Sequence, residues 1–320
     1  MILRGLPSLS QDTAERLLQS YVMGSREAWS VLKASGDGIR DYLQGQITQD
    51  IGKLTPEQGI HACLLTPQGK AVTELYIIEG HQDELVLLTP KSHAMQTVGR
   101  LRQYALSPEL RIGVVDSLGI CSIQGANAVQ GLNGFGVKDP GQTWLASSRM
   151  DGPEIITMVM PIDPRGFWVI APKTHIQAIL GSSAAVASEP EFEAMRIIRG
   201  IPHFGVDWDE GIHPLNANLI EFNGVSFEKG CYVGQEITSR MHWRGGIKKK
   251  LYRVGIEEQP DSLPCPLFTT AKIGELKSAA IDHEGACTGI ALLPVEVAES
   301  KAPLTLENGS IVTLHEACHA

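Results

Sequence analysis

The chain has 320 residues, 43% of them hydrophobic, and a formal net charge of −9. That length exceeds one ordinary core and predicts two or three domains, and the apolar share is that of a folded chain. No run approaches the ~20 apolar residues that span a bilayer. The N-terminal MILRGLPSLSQDTAERLLQS has no long apolar stretch of the signal-peptide kind. The acidic balance argues against a general nucleic-acid coat protein but leaves room for a local basic site. The expectation is a cytoplasmic protein with no membrane role.

In chain order, AWSVLKASGDGIRDYLQG (28–45) reads as strand, glycine-containing turn, short helix and glycine stop. VLLTPKSH (86–93) is an apolar strand that leads into a helical pattern at Met95, Val98, Leu101 and Ala105. GICSIQGANAVQGLNG (119–134) repeats the first pattern. WVIAPKTH (168–175) repeats the second, followed by Ile176, Ile179 and Leu180. Ser92 and Thr174 are read as N-caps. The parallel predicts two related α+β, ferredoxin-like units, each with antiparallel strands and helices on one face. Chance similarity of short strand-to-helix joints is the alternative.

EFEAMRIIRGIP (191–202) predicts a helix with Phe192, Met195 and Ile198 on one side and Gly200 at its end. The stretch HFGVDWDEGIHPLNANLIEFNGVSF has little periodicity, and long irregular segments often carry function. From about 247 the texture changes to short β patterns: KKKLYRVGI, PLFTTAKIGELKSAAI, GACTGIALLPVEVA and LTLENGSIVTL. Asn308-Gly309 marks a hairpin turn. The division expected is 1–110 for the first unit, completed by about 190–245, then 111–189 for the second and 246–320 for a C-terminal β-barrel.

Six cysteines occur, at 63, 121, 231, 265, 287 and 318, with no CxxC pair, which argues against a closed zinc or thioredoxin-type site. Cys231 has the distinctive surroundings, EKGCYVGQE (228–236). Lys229 is two residues before it, Gly230 and Gly234 free the backbone, and a helix beginning at Gln235 would put a positive helix end nearby. Lysine and helix N-termini both lower a thiol pKa. Downstream, Arg240, Arg244, Lys248, Lys249, Lys250 and Arg253 have no acid among them. Two readings stand for Cys231: a presented thiolate, or a buried cysteine in a glycine-rich turn. Two stand for the cations: a solvated face, or an anion site for a cofactor's carboxylate tail or RNA phosphate.

Other motifs fall short. HEACH (315–319) matches HExxH but follows a β pattern, so a metal site is not expected. GLNGFGVKD (131–139) lacks the third glycine of a dinucleotide fingerprint, and LLTPQGKAV (64–72) lacks Walker spacing. His203, His213 and His242 are candidate bases for a cysteine nucleophile.

FEKGCYVGQEITSR, followed by RGGIKKKLY, resembles the signature of the YgfZ family, the folate-binding branch related to the glycine-cleavage T-protein (aminomethyltransferase). YLQGQITQDI (42–51), LLTPQGKAVTELYI (64–77) and RIIRGIPHFGVD (196–207) are also similar to family segments. The resemblance implies a T-protein-like three-domain ring with a central folate tunnel. It implies a tetrahydrofolate-binding accessory factor for iron–sulphur protein assembly or repair, with iron–sulphur client proteins that include tRNA-modifying enzymes. Cys231 is then the working thiol, with Lys229 and Arg240 favouring its thiolate. Gly230 and Gly234 shape the loop, Tyr232 meets a ligand, and Gln235 and Glu236 hold the loop to a neighbouring part of the fold. A helix-start role for Glu236 is the alternative. Glu74, Arg196 and Thr66 are the candidate cofactor-binding residues, and RNA is a candidate partner of the 240–253 cations. The T-protein's acidic pair is replaced by Thr73-Glu74, and its pterin-gripping glutamate by Ile198. An aliphatic side chain cannot accept a pterin's N–H groups, so aminomethyl transfer, the competing activity, is disfavoured.

Overall fold

A computed structural model describes residues 5–81, 84–105, 107–150, 154–160, 166–300 and 302–320; residues 1–4 of the N-terminal stretch read above lie outside them. The first elements are α1 (Gln11–Gln19), β1 (Val22–Ser25), β2 (Trp29–Ser35), α2 (Ile39–Gln44), β3 (Ile60–Leu65), β4 (Ala71–Glu79), β5 (Leu85–Pro90), α3 (Ala94–Tyr104) and β6 (Arg111–Val114). Then come β7 (Leu118–Gln124), α4 (Ala128–Leu132), β8 (Ser147–Arg149), β9 (Ile156–Met160), β10 (Gly166–Pro172), α5 (Lys173–Ser182), α6 (Glu189–Arg199) and α7 (Gln235–Arg240). The last are β11 (Lys249–Ile256), β12 (Cys265–Phe268), β13 (Lys272–Ile281), β14 (Cys287–Pro294), α8 (Val295–Ser300), β15 (Leu304–Leu306) and β16 (Ile311–Ala317).

Two antiparallel sheets, ordered β3-β4-β5-β2-β6 and β1-β7-β10-β9-β8, accompany a closed barrel ordered β11-β14-β13-β12-β15-β16. This is the α+β architecture of two related units and a C-terminal barrel. The sheets exchange strands: β1 pairs with β7, and β6 pairs with β2. Strand alternation explains how the sheets pack. Trp29 and Val31 of β2 face a layer shared with Tyr76, Leu88, Ile120 and Trp168. Leu32 and Ala34 face the opposite way, into a core with Leu43 of α2 and Val98 and Leu101 of α3. In the second sheet, Cys121, Ile123, Phe167 and Val169 pack with Leu132 of α4 and Ile176 of α5.

The two strand-to-helix joints are equivalent in detail. The Lys91 N–H donates to Ala28 O and the Lys173 N–H to Ser117 O, each acceptor lying just before its unit's β2 or β7. Both lysines line one cavity of about 420 Å³ between β2, β7 and α5. The expected N-caps are not formed. Pro90 and Pro172 hold the cap positions, without side-chain cap bonds, and Ser92 Oγ lies against His93 Nδ1 at 2.9 Å. The first joint opens as a short 3₁₀ turn, Lys91–His93, before α3. VEVA, read as β, forms part of α8.

α6 has the predicted apolar side, with Phe192 and Met195 buried, a capping box between Ser188 and Glu191, and Gly200 at φ +73° ending it. The irregular stretch after it is anchored, not loose. Buried Asn218 donates from Nδ2 to Leu251 O (2.9 Å) and Cys318 O (2.8 Å), and its Oδ1 accepts from Leu251 N (2.8 Å). It thereby joins this stretch to the barrel at β11 and to Cys318, just after β16. No helix among the described residues is long and apolar enough to cross a membrane.

Candidate functional site

The loop before α7 is held by a segment about 180 residues upstream. Lys229 is buried, and its Nζ donates to three carbonyls: Gln44 O (2.7 Å), Gln49 O (2.8 Å) and Ile47 O (2.9 Å). Burial pulls its pKa down to about 8, with Asp50 opposing the shift. Thr48 and Gln49 extend the clamp through Thr48 Oγ1 to Gly224 O and Gln49 Nε2 to Asn223 O, both 2.6 Å. Val233 N donates to Gly45 O at 3.0 Å. Gly234, at φ +84°, lies so close to the β3–β4 turn that an added Cβ would sit 2.6 Å from Thr66 O. The Thr66 hydroxyl accepts from Lys70 N (3.2 Å) and so closes that turn.

Lys229 spends its three ammonium hydrogens on carbonyls of the 44–49 segment, and no hydrogen bond joins it to Cys231 among the described residues. Arg240 is exposed and paired with Glu236 at 3.1 Å, one turn along α7. Glu236 therefore makes a surface ion pair on its own helix and does not hold the loop to another part of the fold. Tyr232 is buried, with Lys229 Nζ 5.0 Å from its ring centre, and burial pushes its hydroxyl up to about 12. It packs under the loop.

Cys231 is exposed, whereas the other five cysteines are buried. Burial raises the thiol pKa of Cys63 and Cys318, that of Cys121 to about 12, and those of Cys265 and Cys287 to about 11. No hydrogen bond joins Cys231 to His203, His213 or His242 among the described residues. His203 is buried beside Trp29, His213 Nδ1 accepts from Leu215 N, and His242 stacks on Phe227. The nucleophile–base couple is not assembled.

The cofactor candidates are scattered in role. Arg196 is buried in an ion-pair hub: Nε to Glu193 (2.6 Å), and Nη1 to Asp207 (2.6 Å) and Ile201 O (3.1 Å). Ser278 of β13 closes the hub by donating to Asp207. Arg196 thus ties α6 to the segment that follows it, and its buried Nη2 has no partner among the described residues. Glu74 is 3% exposed. Its Oε1 meets His61 Nε2 (2.9 Å) and Tyr76 Oη (3.3 Å), and its Oε2 accepts from Phe204 N (3.1 Å). His61 Nδ1 lies 2.8 Å from Phe222 O, which can only accept, so that nitrogen carries a proton. The carboxylate thus accepts from Tyr76 Oη and Phe204 N, while His61 Nε2 faces its Oε1. The preceding Thr73 bonds Thr89 Oγ1 at 2.7 Å, and Ile198 is half-buried against the apolar cluster that joins α6 to the barrel.

Sequence reasoning missed the aromatic surroundings of Glu74. Tyr76 stacks on His61 (5.0 Å) and meets Trp29 and Trp168, while Trp144 meets His61 and Phe222. The indole N–H groups of Trp144 and Trp168 are buried without hydrogen-bond partners among the described residues. Each ring comes from a different element, so no local pattern could reveal the cluster. The HExxH string runs onto β16 and past its end, where residues four apart are about 13 Å apart along an extended chain. Glu316 instead pairs with Arg253 at 2.8 Å. Among the described residues no group of three or more His, Cys, Asp or Glu is placed to hold a metal ion.

No family model matches the chain. It is 28% identical over 229 residues to the tRNA-modifying protein YgfZ of Hamiltonella defensa subsp. Acyrthosiphon pisum, covering 70% of this chain and 67% of that one. Against the tRNA-modifying protein YgfZ of Vibrio vulnificus (strain CMCP6) it is 26% identical over 314 residues, covering 87% and 89%. The chain is thus similar to YgfZ proteins over most of its length. Its fold is similar to that of the glycine cleavage system aminomethyltransferase T of Bartonella henselae. The TM-score is 0.79 at 14% identity, over 98% of this chain and 90% of that one.

Proposed function

We propose that this protein is a tetrahydrofolate-binding accessory factor for iron–sulphur protein assembly or repair, acting in the cytoplasm on clients that include iron–sulphur tRNA-modifying enzymes. The observation that carries the reading is the division of cysteines: one exposed thiol on a clamped loop, five thiols buried. Such a thiol reaches a macromolecular client without unfolding. Its exposure also opens it to mixed-disulphide formation.

The aromatic cluster around Glu74 fits a reduced folate in its chemistry. A pterin is flat and carries both donors and acceptors. Trp29, Tyr76 and Trp168 pack on one another there, and the indole N–H groups of Trp144 and Trp168, which have no hydrogen-bond partner among the described residues, are donors a pterin could meet. Folate, when bound, supplies one-carbon or redox chemistry; the chain's own residues orient the ring and exclude water. Thr73 and Ile198 offer no carboxylate for amine transfer, which favours an accessory role over an aminomethyltransferase.

The test is equilibrium binding of tetrahydrofolate to the purified protein and to Cys231→Ala. Saturable binding by both supports the reading, with the cysteine keeping a separate task. Binding by neither overturns the folate assignment. Binding lost only in Cys231→Ala overturns the separation of thiol from folate.

A further inference from the structure

The stretch following Cys231 ends in an unusual surface. Trp243 is 71% exposed, although large rings are mostly buried in folded proteins. It stands edge-on to His242 at 4.5 Å, and His242 lies flat on Phe227, with centres 3.9 Å apart and planes 12° apart. A π-helical turn, Met241–Gly245, carries both Trp243 and His242, and such turns concentrate at functional sites. Trp243 lines a cleft of about 450 Å³ with Arg240, Arg244, Ser239 and Glu236.

The charge around it opposes that of the whole molecule. Residues 236–253 carry six cations and one acid, net +5, so the remainder of this −9 chain carries −14. Three of the six are paired: Arg240 with Glu236, Lys250 with Glu221, and Arg253 with Glu316. Arg244, Lys248 and Lys249 have no ion pair among the described residues.

A small anion would need the cations but not an open indole face. An apolar partner would need the ring but not the cations. Unpaired nucleotides use both, stacking bases on aromatics while phosphates meet Lys and Arg. We propose that Trp243, flanked by Arg244, Lys248 and Lys249, is a stacking platform for an unpaired loop of tRNA. The strongly acidic remainder repels the RNA elsewhere and so confines contact to this patch. This inference rests on the proposed link to tRNA-modifying clients.

The experiment is fluorescence anisotropy of the full-length protein with a labelled 12-nucleotide single-stranded RNA and with the same sequence as a duplex, between 50 and 200 mM salt. Three phosphate contacts predict a log–log salt slope of about −2 for the single strand. Trp243→Ala is expected to weaken binding about tenfold or more, and Trp243→Phe by less. Removing Arg244, Lys248 and Lys249 together should flatten the slope. Equal affinity of Trp243→Ala and the parent, a preference for duplex, or salt-independent binding overturns the platform. Tetrahydrofolate binding is read on the same preparations. RNA binding absent with folate binding intact sinks the platform alone, and folate binding absent sinks the function proposed above.

Discussion

Lys229 and Lys249 are twenty residues apart in one basic stretch and sit in opposite settings. Lys229 is buried with three carbonyl acceptors, whereas Lys249 is exposed at the start of β11 without an ion pair among the described residues. The same contrast separates Tyr232, under the loop, from Trp243, in solvent. The stretch therefore has an anchoring half, 223–234 apart from Cys231, and a presenting half consisting of Cys231 and 235–249. A buried cation is tolerated only where acceptors are already fixed around it. Its presence shows that the 44–49 segment is built to receive it.

The largest expected effect tests the anchor. Lys229→Met leaves three carbonyls without their donor and should cost about 3–5 kcal/mol in urea unfolding, since orphaned buried groups cost about 1–3 kcal/mol each. A loss under about 1 kcal/mol would erase the distinction between the halves. Next is Gly234→Ala, which forces an L-residue to φ +84° with its Cβ 2.6 Å from Thr66 O. That combination of strain and backbone clash should cost about 2–3 kcal/mol. The matching change at Gly230, where an added Cβ meets nothing within 4 Å, should cost far less.

A pH test probes another internal charge cluster. Burial opposes the charge of Glu193, but Arg196, His203 and Arg26 outweigh it and hold the carboxyl at about 2, below its ordinary 4.5. The folded pKa is depressed, so the stabilisation is present above about 4.5 and is lost as pH falls toward 2. The unfolding free energy from urea titration should drop by roughly 2–3 kcal/mol over that window from this group. Glu193→Gln should be less stable at pH 7 and show a smaller acid-dependent decline. Equal declines in the two proteins would mean that the hub contributes nothing of its own.

These tests also mark what the sequence made legible. The paired PKSH and PKTH joints revealed the duplicated units, because each is a local strand-to-helix switch. Glycine and Asn-Gly spacing revealed the barrel for the same reason. The residue types of KGCYVGQE suggested a presented thiol, and Cys231 is exposed. The roles of Lys229 and Arg196 stayed hidden. Lys229 meets acceptors on Gln44, Ile47 and Gln49, and Arg196 meets Asp207 eleven residues on, across the turn that follows α6. Chain proximity placed Lys229 beside Cys231, but only the fold decides which way its side chain runs. The rings around Glu74 come from β2, β4, β10 and the segment before β8, so periodicity could not gather them.

The smallest expected effect on stability completes the comparison and is the most informative about function. Cys231→Ala removes an exposed side chain that makes no hydrogen bond among the described residues, so unfolding should shift by less than about 0.5 kcal/mol. Brief iodoacetamide treatment of the native protein should give one adduct per chain, at Cys231, as read by intact mass. Alkylation needs thiolate and access together. The five buried thiols lack access, and burial raises their pKa as well. Denatured protein should take six adducts. A native chain that takes none would place Cys231 under cover and move the working surface to the Trp243 cleft. One that takes two or more would show that the barrel around Cys265 and Cys287 opens readily, and the contrast between one presented thiol and five sheltered ones would fail.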